Sequence, residues 1–349
     1  MTIRLYEHHD LSGVIHIWNE SVHAQEVVYY PLTAEYFHQK FELNPNYDAK
    51  YSFVADEDGQ VVGFISGVAK KIFLSGETNE STPGYLTCIF VRMDRRGRGI
   101  GKALVETLVA AFKENGKAIF SCSSNNPINI DWTIPGTHGH DHNNAPGIDE
   151  SCAGYGFLRS LGFKVLYREI AMYLDLSTYV PWTGVKEKQR ELLAQGIYTG
   201  RYDARFDYDY DGMCDRVGSE YWRSVLKTEI ACHKLNIPCT DRCFIPNGKI
   251  PAGPRPILAA TNEGHIVGFT GPVDKQESGR GWFSGICTDP LYERRGIASV
   301  LFNLLMQEFV AEGATFSTLF TGDDNHAQRI YKDAGFHIVR RFTIMSKDI

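Results

Sequence analysis

No stretch of this 349-residue chain stays apolar for the roughly 18 residues needed to cross a bilayer, so a membrane-spanning helix is not expected. The opening residues, Met-Thr-Ile-Arg-Leu-Tyr-Glu-His-His-Asp, lack the apolar stretch of a secretory leader, which predicts a cytoplasmic protein with no membrane partner. Runs rich in Lys and Arg are missing too. The formal charge is −6, from 36 basic and 42 acidic residues, which argues against nucleic acid as a partner and is compatible with a cationic amine. Neither a Gly-x-x-x-x-Gly-Lys-(Ser/Thr) loop nor a dinucleotide fingerprint with its later acidic residue occurs, so ATP and NAD are disfavoured. Cysteine is sparse for the length, eight residues, and reads as reduced thiols rather than a disulfide framework. What is present is ordinary globular material, 43% hydrophobic and 22% charged, in a chain long enough for two domains.

One segment occurs twice. Cys88-Ile-Phe-Val-Arg-Met-Asp-Arg-Arg-Gly-Arg-Gly-Ile-Gly101 leads into an amphipathic helix over 101–115. Cys287-Thr-Asp-Pro-Leu-Tyr-Glu-Arg-Arg-Gly-Ile-Ala298 leads into another over 299–312. Each sets a β-like strand, then small residues, at a helix start. Unpaired N–H groups and the positive end of the helix dipole make such a turn an anion site, and small residues let a diphosphate come close. The repeat extends outward. Asp58-Gly-Gln-Val-Val-Gly-Phe64 corresponds to Glu263-Gly-His-Ile-Val-Gly-Phe269, each the turn of a hairpin and the strand after it. The first half carries about 24 extra residues between its glycine turn and its last helix, an insertion of the kind loops tolerate.

The pattern Arg96-Gly-Arg-Gly-Ile-Gly101 resembles the (Gln/Arg)-x-x-Gly-x-(Gly/Ala) loop of the GNAT N-acetyltransferases, and the chain is similar to two GNAT domains in tandem. The resemblance implies an α/β fold of two GNAT-like domains, each a mixed, mostly antiparallel sheet flanked by helices. It implies acetyl-CoA as cosubstrate, with no metal. The first half would hold it with Ile89, Phe90, Val91, Arg96, Gly97, Arg98, Gly99, Ile100 and Gly101. The second would use Ile286, Cys287, Thr288, Arg294, Arg295, Gly296, Ile297, Ala298 and Asn325, with Glu293 standing where the pattern has Gln or Arg. A main-chain N–H from Phe90 or Val91, or from Cys287 or Thr288, would hold the developing oxyanion. Asn325-His-Ala-Gln-Arg-Ile-Tyr331-Lys-Asp-Ala-Gly-Phe336 resembles the final GNAT helix, whose Tyr protonates the departing thiolate; a phenol titrates near ~10, close to a thiol. The first half has Leu158 at that position.

Domains are expected at 1–177 and 197–349, joined by a linker over 178–196 whose charged second part is helical. The excursion Ser124–Asp149 is expected to be a substrate-facing loop, with Asp149 capping the following helix. Its His138, His140, Asp141 and His142 offer metal-ligand chemistry, but Gly139 loosens the run. The reading taken is that His140 or His142 serves as a general base near neutral pH. Glu220 is a further candidate base. Cys232, His233, Cys239 and Cys243 fit no common zinc spacing and read as structural thiols. The run from Tyr202 to Asp211 alternates aromatic and acidic residues along an edge or a domain interface, with a cation-binding surface as the lesser alternative.

The expected function is acyl transfer from CoA, acetyl first, to the amine of a small molecule by direct attack. The alternative is a catalytically inactive acyl-CoA-binding or sensor protein. The second half, with Tyr331, is the slightly favoured site of chemistry, and a homo-oligomer is compatible with the sequence.

Overall fold

The structure is a computed structural model that describes residues 1–73, 76–239 and 253–349. Two compact units form. The first comprises Met1–Ala171, Phe320–Asp324 and Ile338–Ile349; the second comprises Met172–Leu319 and Asn325–His337.

In the first unit the chain runs β1 (Thr2–Leu5), α1 (Leu11–His23), α2 (Ala34–Phe37), β2 (Ser52–Glu57), β3 (Gln60–Ala69), β4 (Gly84–Val91), α3 (Ile100–Glu114) and β5 (Ile119–Cys122). Short strands β6 (Trp132–Thr133), β7 (Asp141–His142) and β8 (Ile148–Asp149) follow, then α4 (Ala153–Ser160) and β9 (Lys164–Asp175). Asp58 and Gly59 both take positive φ, 54° and 79°, the turn that matches the twist of the β2–β3 hairpin. Helix α1 buries Leu11, Val14, Ile17, Trp18 and Ser21, one face at helical spacing. Helix α3 buries Ile100, Leu104, Val105, Leu108 and Phe112 against the sheet, each apolar side chain contributing roughly 2 kcal/mol. It lies close because Gly84 has no side chain: a Cβ there would stand 2.6 Å from the Phe112 ring.

The second half of the chain repeats this order: α5 (Val185–Ala194), β10 (Tyr198–Arg201), α6 (Asp211–Val217), α7 (Glu220–Leu235), β11 (Leu258–Asn262), β12 (His265–Gly271), β13 (Asp274–Lys275), β14 (Arg280–Trp282), β15 (Gly285–Thr288), α8 (Ile297–Ala311), β16 (Phe316–Gly322), α9 (Gln328–Asp333) and β17 (His337–Asp348). Strands β10, β11, β12 and β15 form one antiparallel sheet. Strand β14 pairs antiparallel with β13 and parallel with β16. The packing is duplicated as well, since a Cβ on Gly281 would stand 2.6 Å from Phe309 of α8.

Several expectations change on folding. The strand expected over 281–288 is two strands, β14 and β15, with Gly285 at φ 144° where a side chain would meet Trp222 at 2.6 Å. The helical stretch after Gly212 is two helices, because Gly218 turns left-handed and Ser219 restarts the chain by accepting the Trp222 N–H. The helix expected from 33 to 43 is α2 followed by a π-helical turn over His38–Glu42. Residue Cys152, not Asp149, is the N-cap of α4; Asp149 lies in β8 and its carboxylate accepts the Ser151 N–H at 2.8 Å.

The last strand is placed differently from a contiguous division at 197. Residues Ile338–Ile349 belong to the first unit, where β17 runs antiparallel to β5, Met345 opposite Cys122 and Asp348 opposite Ile119. Strand β8 pairs with the same strand further back, Phe342 opposite Asp149. The first unit's sheet is therefore β1-β2-β3-β4-β5-β17, antiparallel except at β4–β5. Met345 is fully buried in the core with Phe120, Leu158 and Phe163.

Candidate functional site

In the first unit β4 and β5 run parallel and pair only at Gly84–Phe120 and Tyr85–Ser121. Beyond Tyr85, β4 continues to Val91 with β3 as its ladder partner among the described residues. A cavity of about 450 Å³ opens in this region, lined among others by Ile89, Val91, Gly99, Tyr29, Cys152 and Leu158. The ladder sorts the amides along β4. Arg92 donates to the Val62 carbonyl at 2.9 Å, and antiparallel amides alternate in direction, so the Phe90 N–H is committed to β3 while those of Ile89 and Val91 face away from it.

The glycine turn forms one end of the cavity. Gly97 and Gly99 take φ 74° and 83°, left-handed values that tolerate no ordinary side chain cheaply, and an added Cβ at either would meet nothing within 4 Å. Ala103 is the first residue of α3 whose N–H returns to the turn, to the Gly99 carbonyl at 3.0 Å. The amides of Ile100, Gly101 and Lys102 are thus the unpaired donors of a 15-residue helix start. An open glycine cradle and a helix start together make an anion site at the end of the cavity that lies alongside β4.

Arg96 does not reach freely into this space. Its guanidinium grips the Glu26 carboxylate at 2.8 and 2.7 Å, touches Ser21 at 3.2 Å and donates to the Val91 carbonyl at 3.0 Å. The Arg96 hydrogen bonds hold the Glu26 carboxyl below its ordinary value. The arginine thereby fixes the end of β4 beside the turn. Arg98 donates to the Asp94 carbonyl at 3.3 Å.

The expected bases in the excursion lie elsewhere in this unit. His142 is buried, its ring 4.3 Å from Phe320 and stacked 6.0 Å from Trp132, and its Nδ1 accepts the Asn144 N–H at 3.3 Å. His140 offers its carbonyl to the Ile134 N–H at 3.1 Å. Neither lines the cavity. The excursion is a packed hairpin, β6 on β7, with Tyr30 donating to Asp141 at 3.0 Å and Lys40 paired with Asp131 at 2.9 Å. Among the described residues no three His, Cys, Asp or Glu side chains gather to hold a metal ion. Cys232 and Cys239 are buried thiols, and Cys243 lies outside the described residues.

Two cavity residues carry acidic protons that motif reading passed over, Tyr29 and Cys152. Cys152 had a faint signal: it stands six residues before Leu158, as Asn325 stands six before Tyr331. Tyr29 had none, since nothing in Val27-Val28-Tyr29-Tyr30 marks it.

The second unit has the same turn with a different covering. Val300 donates to the Gly296 carbonyl at 3.0 Å, leaving Ile297, Ala298 and Ser299 as the helix-start donors, and Gly296 sits at φ 90°. Here a Cβ would stand 3.2 Å from Cδ of Lys188, whose alkyl chain lies over the glycine while its ammonium pairs with Glu191. Arg295 lies over the Tyr292 ring at 5.0 Å, and Arg294 takes φ 61°. The Thr288 amide is the one turned out of the ladder, because Asp289 donates to Val267 and Cys287 pairs with Phe269. Asn325 accepts the Ala327 N–H at 2.8 Å, capping locally. Tyr331 is buried against Phe302 and Phe336, ring centroids 5.1 and 6.3 Å away, and burial pushes its phenol up to about 12. Glu220 is exposed and paired with Arg223 at 3.2 Å.

Among solved structures the chain is similar to the glucosamine N-acetyltransferase region of a fungal multi-domain GH3 β-N-acetylglucosaminidase, with TM-score 0.63 and 15% identity over 99% of this chain, which spans 38% of that protein. It is also similar to a GCN5-related N-acetyltransferase from Sphaerobacter thermophilus, TM-score 0.59 and 16% identity, covering 99% of this chain and 95% of that one. A tandem GNAT protein from the clavulanic acid biosynthesis pathway matches with TM-score 0.53 and 13% identity, over 99% and 98% of the two chains. No match was found among curated proteins. The family profile described as the Acetyltransferase (GNAT) family matches residues 16–132 and again 222–336, one match for each copy of the glycine turn, and the chain belongs to that family.

Proposed function

We propose that the protein is an acetyl-CoA-dependent N-acyltransferase acting on a small-molecule amine, and that the first unit carries the reaction. The observation behind this is the cavity beside β4, which joins an open glycine turn to strand amides turned out of the β3 ladder. Acetyl-CoA supplies an acyl group on a good leaving sulfur. The chain's own residues do the rest. The turn from Gly97 to Gly101 and the start of α3 hold the diphosphate. The Ile89 and Val91 main chain aligns the extended arm, and one of these amides faces the developing oxyanion. Arg96, held by Glu26, keeps the end of β4 in register with the turn.

The net charge of −6 favours a cationic amine over nucleic acid, and no described helix is long and apolar enough to cross a membrane; a cytoplasmic setting is the matching proposal. Because the fungal relative is described as a glucosamine N-acetyltransferase region, glucosamine heads the amines to test. Calorimetry with acetyl-CoA, then thiol release across an amine panel, tests the reading. Binding together with amine-dependent thiol release is expected; no binding overturns it. Leu158, apolar where the other unit has Tyr331, favours a second reading as an acyl-CoA-binding protein without catalysis. Binding without thiol release from any amine would select that one.

A further inference from the structure

We propose that Tyr29, from the connection between α1 and α2, donates the proton to the departing CoA sulfur in the first unit, the role that Leu158 cannot fill. This rests on the reading that the cavity takes acyl-CoA. Tyr29 and Leu158 line the same cavity, and Cys88 and Cys152 line it with them. The connection that carries Tyr29 is held at several points. Trp18 donates its indole N–H to the Tyr30 carbonyl at 2.9 Å, and Asn19 exchanges two hydrogen bonds with the Leu32 main chain, at 2.7 and 3.0 Å. The Tyr29 main chain forms an antiparallel bridge with Trp132, and the Tyr29 ring packs on Trp18 with centroids 5.6 Å apart. A side chain this constrained keeps its hydroxyl in one place, which proton transfer requires.

The other polar side chains on the cavity wall are largely engaged. Glu26 and Ser21 are bonded to Arg96, and Thr87 accepts from Asn126 at 3.2 Å. The groups whose charges bear on the Tyr29 phenol include Cys152 at the start of α4, Cys88 on β4, Asp149 on β8 and Cys122 on β5, and Tyr29 acts in turn on Tyr36 of α2. Burial raises the phenol and the Cys88 and Cys152 thiols alike. A sulfur arriving there meets the same low-dielectric surroundings and also holds a proton more tightly, so a raised phenol remains matched to its acceptor. In the step, the amine nitrogen forms its bond to the acyl carbon and the carbon–sulfur bond breaks with its electron pair on sulfur. Tyr29 gives its proton to that sulfur, and the proton lost by the amine returns through solvent to the phenolate.

The test needs no acceptor. CoA with an isotopic carbon label beside its sulfur is titrated by NMR while bound to the full chain, to Tyr29→Phe and to Cys152→Ser. A hydroxyl directed at the sulfur stabilises the thiolate, so Tyr29→Phe should keep CoA affinity within about twofold and make the bound thiol roughly tenfold harder to ionise. Cys152→Ser, which removes the rival proton donor on the cavity wall, should move that titration less than Tyr29→Phe does. Bound CoA with an unmoved titration in Tyr29→Phe overturns the assignment, as does a shift seen only with Cys152→Ser. Failure of the unaltered chain to bind CoA overturns the acyl-CoA reading itself, and this one with it. Should Tyr29→Phe not fold, fluorotyrosine placed at 29 keeps ring and hydroxyl. Its fluorine resonance should move with CoA and not with a CoA analogue lacking the sulfur, and equal responses to both would overturn the proposal.

Discussion

Lys188 lays its alkyl chain over Gly296, Cδ standing 3.2 Å from where a Cβ would sit, whereas the corresponding Gly99 has open space around it. The two turns are otherwise alike, each a left-handed glycine opening a 15-residue helix. A glutamate at either position forces an L-residue into the left-handed region, a strain of about 1–2 kcal/mol that should appear in thermal denaturation of both variants, with the Lys188 contact adding to it at 296. Only the open turn should also lose ligand affinity. Gly99→Glu is expected to weaken acetyl-CoA binding at least ~100-fold by placing a carboxylate in the phosphate cradle, while Gly296→Glu leaves it within about twofold. Calorimetry on both variants checks this, and the reverse ranking would move the binding site to the second unit.

The parts of the fold governed by one residue's backbone limits were legible in the sequence. Asp58-Gly59 and Glu263-Gly264 read as hairpin turns and Gly99 and Gly296 as helix starts, and all of these residues take positive φ. Partner choice was not legible. The alternating residues of β9 and β17 say which face is buried and not which strand lies alongside, so nothing in Phe342-Thr343-Ile344-Met345 announces its pairing beside β5 and β8. The helix cap went to Cys152 rather than Asp149 because Asp149 is held in β8, a pairing set by β17. Tyr29 escaped notice for a related reason. Its place in the cavity depends on Trp18, Trp132 and the fixed connection, contacts that come from distant parts of the chain.

Close approach of α3 to the sheet depends on Gly84, and its effect on stability is measurable. Gly84→Ala places a methyl 2.6 Å from the Phe112 ring, so the helix or the ring must shift, at an expected loss of about 1–3 kcal/mol in denaturant unfolding. Phe112→Leu alone leaves a cavity. Combined, the two changes share one volume, and the double variant should lose less than the sum of the singles. Strict additivity would show that the contact does not govern the helix position.

Tyr331 separates chemistry from packing in the second unit. Its ring belongs to a cluster with Phe302 and Phe336, so Tyr331→Ala should cost about 3–5 kcal/mol of stability, whereas Tyr331→Phe keeps the ring and should cost less than about 1. Burial has pushed the phenol up to about 12. If the first unit performs the transfer, Tyr331→Phe leaves turnover unchanged in a thiol-release assay, even as Tyr331→Ala lowers the melting temperature. A large drop in turnover from the phenylalanine variant would return the acid role to the second unit.

Arg4 ties β1 to both Asp10 and Asp56, and the buried member of that trio sets a pH dependence. Asp10 has a side chain only 3% exposed, accepts from both guanidinium ends at 2.7 Å and also accepts the Glu7 N–H at 2.9 Å. Burial alone would raise this carboxyl; Arg4 and the Glu7 amide more than reverse that and hold it below its ordinary value. A carboxyl lowered on folding adds stability above its unfolded value and loses it as pH falls through the folded one. Asp10→Asn removes the charge at every pH while Arg4 keeps Asp56, so the expected cost near neutrality is about 1–3 kcal/mol. As the pH is lowered beneath the usual carboxylate range, the unaltered chain protonates Asp10 and the difference between the two proteins should close. Paired urea titrations across that interval check it, and a gap that persists undiminished into acid would assign the loss to packing rather than charge.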